Sequence, residues 1–396
     1  MSLSQFHNLN EFFDDAASVL FEMKKEDAEE LMNKNLKKAR DDPHTLYNEV
    51  VWYPRYVVWE LTLECNMECI HCGSSARGRR ANELKLGEML RLCEELGEMK
   101  CERLTLLGGE PLLHPHWDTV AECLQENGIR VNVITNGWSL ISEELCDRLS
   151  KANLSLIGIS IDGLDQNHDA LRRKDSFNRI MKGMDFLRER GLAIGVVTVI
   201  TRDSIKDLEE LFDLIVEKGV KVWQLQIALP MGNLDQSNEL LIKPEDIENI
   251  YDLFTRMRKR KRDIRIDLGD NIGYFAPAEY GYIRSTKNSG AFWKGCFAGI
   301  QVMGIESNGN IKGCLALPSI PQFLEGNIRK HSLREIWNNP DNFSYNRRFR
   351  LAQLEGYCSE CTYANLCKAG CRAAAFSYSG RLGENPMCIF RHTHEK

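Results

Sequence analysis

From residue 51 to 262 the chain repeats one unit, a strand, a loop and a helix, and this repeat limits the folds open to it. Short runs rich in Val, Ile and Leu at 56–63, 103–109, 129–137, 154–163, 192–200 and 220–229 read as strands. Amphipathic stretches at 84–99, 116–128, 142–152, 177–191, 205–219 and 244–262 read as helices, several of them ending at a glycine. Strands this apolar, each followed by a helix, predict a buried parallel sheet with right-handed crossovers. Six such units predict an α/β fold, an open partial (β/α)6 barrel. Chemistry in such a barrel belongs at the C-terminal ends of the strands.

The flanks differ in texture. Residues 1–50 read as a short helical extension ending near Pro43. Residues 263–396 are rich in Gly, Asn, Cys and short strands, with a hairpin turn at "SNGN" (307–310), and predict a small Cys-rich α+β domain. The boundaries expected are therefore 1–50, 51–262 and 263–396. The basic run "RMRKRKR" (256–262) reads as the solvated end of a helix. Charge is balanced, 51 basic against 57 acidic residues, which leaves no footprint for nucleic acid. No apolar run is long enough to span a membrane, and the N-terminus lacks a signal peptide. The expected setting is a reducing cytoplasm.

Fourteen cysteines stand out against that setting, where disulfides are disfavoured. Three lie in "ECNMECIHC" as Cys65, Cys69 and Cys72, directly after the first strand. Four are single: Cys93, Cys101 and, within helices, Cys123 and Cys146; they read as small buried hydrophobes. Seven more fall between 296 and 388. A zinc site wants four ligands, whereas three thiolates on one loop can hold three irons of a [4Fe–4S] cube and leave the fourth open. At the second strand end, "GGEP" offers Gly108 and Gly109, where backbone can approach a ligand closely, and the acceptor Glu110.

The cysteine loop and the strand ends together resemble the radical SAM enzymes. His71 stands where that family usually has an aromatic residue, and reads as packing beside the cluster. The resemblance implies a [4Fe–4S] cluster with S-adenosylmethionine chelating its open iron. Electron transfer into that cluster would cleave the sulfonium to a 5′-deoxyadenosyl radical that takes hydrogen from a substrate. It further implies that the segment holding Gly108, Gly109 and Glu110 lines the methionine amino group. "TNG" (135–137), "SIDG" (160–163) and "NHDALR" (167–172) resemble the ribose and carboxylate contacts. Ser160 and Arg172 are the carboxylate candidates, Asp162 sits with them, and Asn136 is either a further contact or a turn residue. Gln224, on the sixth strand, is expected to face the cavity, with adenine packing near 224–233.

The C-terminal pattern, Cys296-x12-Gly309-x4-Cys314 and then Cys358-x2-Cys361-x5-Cys367-x3-Cys371 with Cys388 beyond, is similar to the SPASM extension of that family. The resemblance implies two auxiliary iron–sulfur clusters of the [4Fe–4S] kind. Cys358, Cys361, Cys367 and Cys388 would hold the outer one. Cys296, Cys314 and Cys371 would hold the inner one, which would then have an open iron, a non-cysteine ligand or a [2Fe–2S] form. Four functions are weighed. The first is oxidative modification, such as a crosslink, of a ribosomally made peptide, with a separate leader-binding protein. The alternative is oxidation or rearrangement of a small molecule or cofactor precursor. Sulfatase maturation is disfavoured because Leu315 follows Cys314 where that subgroup has Asp. A non-enzymatic electron carrier has no use for an open chelation site. The expected reductant is a flavodoxin or ferredoxin.

Overall fold

The computed structural model describes residues 53–394 except 237, 261–262, 270, 273 and 276–294. The helical extension expected over 1–50 lies outside the described residues. The six strands form as β1 (Tyr56–Thr62), β2 (Arg103–Gly108), β3 (Arg130–Thr135), β4 (Leu156–Ser160), β5 (Ile194–Ile200) and β6 (Val222–Ile227). All neighbouring pairs from β1 to β6 are parallel, as apolar strands joined by helices require.

The connecting helices are α1 (Leu86–Glu98), α2 (Trp117–Glu126), α3 (Glu143–Lys151), α4 (Asp165–Leu171), α5 (Ser176–Glu189) and α6 (Leu208–Glu217), with α7 (Asp246–Lys259) after β6. Helix α3 shows how local signals set the boundaries. Ser142 Oγ accepts the Leu145 amide at 3.3 Å, Glu143 and Glu144 fill the first turn, and Arg148 and Lys151 the last. The basic run closes α7, and within it Arg256 and Arg260 pair with Glu209 and Asp213 on α6.

The sheet runs on past residue 262. A seventh strand, β7 (Arg265–Leu268), adds in parallel to β6. On the far side β8 (Val302–Ile305) pairs in parallel with β1, Tyr56 opposite Val302. The expected hairpin then turns through Gly309, at φ +87°, into β9 (Asn310–Lys312), and β10 (Gly326–Asn327) closes that edge. The result is one ten-stranded sheet, β10-β9-β8-β1-β2-β3-β4-β5-β6-β7, open between its two edge strands.

The two faces of the sheet differ. Trp223, Leu225 and Ile227 of β6 are buried on the helix side, where Trp223 stacks on Phe212 of α6. Gln224 and Gln226 alternate with them and are half-buried, as are Asn132 and Ile134 of β3 and Val197 and Val199 of β5. Period-two alternation therefore places these residues on the inner face, in line with the expectation for Gln224.

Candidate active site and cluster-binding loops

The Cys65–Cys72 loop leaves β1 at its C-terminal end and is pinned from three sides. From β2, the Gly109 amide donates to the Thr62 carbonyl and the Glu110 amide to the Glu64 carbonyl, both at 2.8 Å. A Cβ on Gly108 would lie 2.0 Å from the Thr62 oxygen, and one on Gly109 2.2 Å from the Glu64 oxygen. The glycines thus make room for the cysteine loop itself, where the sequence suggested close approach of a ligand. From α4, the Leu171 carbonyl accepts the Ile70 amide at 3.0 Å. From the loop after β6, Asn233 donates its amide to the Cys72 carbonyl (3.0 Å) and Nδ2 to the Cys69 carbonyl (2.8 Å). Gly232, at φ +63°, has no room for a Cβ, which would meet the Cys72 oxygen at 2.1 Å. Sequence reasoning missed this brace and gave residues 224–233 to adenine alone.

Burial raises the Cys65 thiol, and raises Cys69 to about 11 with Arg172 opposing. As bare thiols they stay protonated, and a bound iron would deprotonate them outright. All fourteen cysteines are free. Among the described residues no three His, Cys, Asp or Glu side chains converge tightly enough to chelate a single metal ion. An iron–sulfur cube is wider than one ion, and three free thiols on one braced loop fit it better than they fit zinc.

Asp162, at the end of β4, is fully buried. One oxygen accepts from Arg172 Nε and, at 2.9 Å, pairs with His71 Nε2; the other accepts the Val199 amide at 2.9 Å. Burial pushes this carboxyl up, but Arg172 and His71 outweigh it and hold it far below the usual carboxylate range. Its acceptors face protein, so Asp162 positions Arg172 and His71. His71 is therefore tied to β4 through Nε2, beyond packing beside the cluster, while its Nδ1 is buried without a partner among the described residues. Behind Asp162, His168 Nδ1 accepts the Asp162 amide at 3.2 Å, which leaves Nε2 to donate to Ser176 Oγ at 3.0 Å. Burial lowers His168 to about 3, so it stays neutral.

Glu110 is 1 % exposed and accepts from Leu112 N (3.2 Å), Thr135 Oγ1 (2.8 Å) and Asn136 N (2.7 Å). Asn136 in turn donates Nδ2 to Asn66 Oδ1 at 2.7 Å and toward Cys65 Sγ at 3.8 Å. Ser160 is half-buried at the end of β4. A cavity of about 430 Å³ opens here, lined among others by Cys65, Met67, Arg77, Arg172 and Arg173. A larger one, about 630 Å³, lies at the β10 edge beside Asn327 and His331. It touches none of the cysteines, and the chemistry-bearing groups gather at the smaller one.

The C-terminal thiols gather in two sets. Cys367 lies close enough to Cys358, Cys361 and Cys388 for each to act on its charge. Cys296 and Cys314 both act on the Tyr345 hydroxyl, and Cys371 is the residue before α12 (Arg372–Ser379). Between Cys367 and Cys371 the residues Lys368, Ala369 and Gly370 are all left-handed, at φ +52°, +62° and +68°. This turn separates one cysteine of each set by only three residues.

Comparison with known proteins agrees with this geometry. The family model of the Radical SAM superfamily matches residues 59–215, and that of the SPASM iron–sulfur cluster-binding domain matches 296–362. An AdoMet-dependent heme synthase of Methanosarcina barkeri is 33 % identical over 85 % of this chain and 97 % of its own. The chain belongs to the radical SAM superfamily. A mycofactocin maturase, MftC of Mycobacterium tuberculosis, is 27 % identical over 86 % of this chain and 84 % of its own. Among solved structures, Streptococcus suis SuiB bound to S-adenosylmethionine shares the fold, with TM-score 0.68, 19 % identity, and 90 % of this chain and 81 % of SuiB covered. As a radical SAM protein with a SPASM domain, the chain carries the elements for a [4Fe–4S] cluster with S-adenosylmethionine and for auxiliary iron–sulfur clusters. No helix among the described residues is long and apolar enough to cross a membrane.

Proposed function

We propose that this radical SAM enzyme oxidises a small-molecule cofactor precursor of the iron tetrapyrrole class. Three free thiols on one braced loop at the mouth of the open sheet support the chemistry. Cys65, Cys69 and Cys72 hold the first cluster, which with S-adenosylmethionine supplies a hydrogen-abstracting radical. Cys296, Cys314 and Cys371 hold an inner auxiliary cluster, and Cys358, Cys361, Cys367 and Cys388 an outer one. The heme synthase match over 97 % of that relative's length is the observation that carries the substrate class. An inner face of Val and Ile with the amides of Asn132, Gln224 and Gln226 suits a flat apolar ring with polar edges.

The methionine end of S-adenosylmethionine meets Glu110 through its amino group and Arg172 and Ser160 through its carboxylate, with Asn136 holding the cysteine loop beside it. Burial raises Glu110 to about 7, against the three donors that lower it. The folded chain then keeps a proton on Glu110 that the unfolded chain gives up. This group's contribution to stability therefore falls as pH rises from 4.5 to about 7. Binding of the cationic amino group has the opposite sign, because it needs the carboxylate. Affinity of the cluster-loaded protein for S-adenosylmethionine is expected to rise several-fold between about pH 6 and pH 8, and Glu110→Gln to flatten that profile. A wild-type profile already flat over the range would remove Glu110 from the contact.

A second reading is oxidative modification of a ribosomally made peptide, which the MftC match favours. A separate leader-binding protein would serve it, and a flavodoxin or ferredoxin would reduce the enzyme in either case. The two readings separate in one anaerobic assay with dithionite, S-adenosylmethionine and either Fe-coproporphyrin III or a peptide encoded beside the gene. The tetrapyrrole is expected to raise 5′-deoxyadenosine yield and to change in mass. A response to the peptide alone would reverse the order.

A further inference from the structure

One buried cation stands between the two auxiliary thiol sets. Arg372 directly follows Cys371 and opens α12. It is 1 % exposed. Its Nε donates to Asn346 Oδ1 at 2.8 Å, and Nη1 donates to the carbonyls of Lys368 (3.0 Å) and Leu382 (2.7 Å). The guanidinium lies over the Phe349 ring, 3.8 Å from its centre. These partners satisfy its hydrogen bonds and leave its charge uncompensated. Among the described residues no carboxylate pairs with it. The groups close enough to act on that charge are Cys296 and Cys371 of the inner set, Cys367 of the outer set, and Tyr345. A buried charge without a counter-charge is strongly disfavoured, so the arrangement needs anions where the thiols stand.

We propose that Arg372 is the shared counter-cation of both auxiliary clusters and raises the reduction potential of each. The proposal rests on the reading that two auxiliary clusters are present. A cluster held by thiolates gains one more negative charge when it takes up an electron. A fixed cation nearby, in a medium of low dielectric, stabilises that reduced form more than the oxidised one. Arginine suits the position because it stays charged when buried, where lysine yields its proton. The adjacent Lys368 illustrates the contrast, since burial and then Arg372 press its ammonium down to about 7. Arg372 thus makes both clusters better acceptors for the electron left on an oxidised substrate.

The test is an EPR-monitored redox titration of the anaerobically reconstituted full chain as wild type, Arg372→Gln and Arg372→Lys. Arg372→Gln with full iron content is expected to lower both auxiliary potentials and leave that of the Cys65/Cys69/Cys72 cluster unchanged. Arg372→Lys, assayed at about pH 6 so that it holds its proton, is expected to recover most of the shift. Unchanged potentials in a fully loaded Arg372→Gln would overturn the proposal, as would Arg372→Lys falling as far. If Arg372→Gln fails to load, wild type grown with ¹⁵N-arginine decides. Pulsed EPR of the reduced auxiliary clusters should then show an arginine nitrogen coupling that Arg372→Lys lacks, and its absence would overturn the proposal. A wild-type content of only about four irons would overturn the two-cluster reading, a result distinct from any potential shift.

Discussion

Cys65→Ala/Cys69→Ala/Cys72→Ala is expected to abolish S-adenosylmethionine cleavage and remove about four irons per chain, leaving the auxiliary clusters loaded. The reason is structural as much as chemical. The loop is held by backbone contacts from β2, α4 and the segment after β6, and none of those contacts passes through a thiol oxygen-equivalent acceptor that alanine would remove, apart from the Ala76 amide to Cys72 Sγ at 3.4 Å. The loop should therefore keep its course while losing its ligands. Iron analysis and chromatography of 5′-deoxyadenosine check both halves. Residual cleavage at more than about a hundredth of the wild-type rate would show that the radical is generated elsewhere.

Asp162→Asn is expected to carry the largest cost in stability among single changes at the site. The substitution leaves Arg172, whose side chain is 9 % exposed, and His71, at 4 %, facing a neutral amide in the interior. Breaking a buried pair in this way costs about 3–5 kcal/mol, because the remaining charge stays buried. Glu209→Gln removes the exposed partner of Arg256 and should cost under about 1 kcal/mol. Urea midpoints of the two variants against wild type give the comparison. Asp162→Asn should also weaken S-adenosylmethionine binding, since Arg172 loses the group that aims it. The pH dependence follows from the depressed carboxyl: its contribution is present above the ordinary carboxylate range and is lost as pH falls below it. An Asp162→Asn protein as stable as Glu209→Gln would mean that Arg172 finds another partner.

The barrel strands and their helices were legible because periodicity is a local property, and each strand carries its own apolar pattern. The three-cysteine loop was legible for the same reason. Pairing across long separations was not. Nothing in "GIQVMGI" shows that β8 lies beside Tyr56–Trp59 of β1, and Arg265–Leu268, only four residues long, is too short for its alternation to read as a seventh strand. The site divides along the same line. Gly108, Gly109 and Glu110 were found from their place at a strand end. The oxygens against which the glycines pack, Thr62 and Glu64, emerge only once β1 and β2 are side by side. His71 could be seen between two cysteines, but its bond to Asp162 spans 91 positions of sequence and leaves no local mark. Asn233 and Arg372 were missed likewise, the first because its role is made by loop contact, the second because a single arginine beside a cysteine has no pattern of its own.

The most direct measurement is made on the wild-type chain, reconstituted anaerobically with iron and sulfide. Iron is counted per chain, and 5′-deoxyadenosine is followed after dithionite and S-adenosylmethionine are added. Roughly ten to twelve irons with cleavage is the predicted result, one cluster at the mouth of the sheet and two in the C-terminal thiol sets. About four irons, or no cleavage from a fully loaded protein, would contradict it.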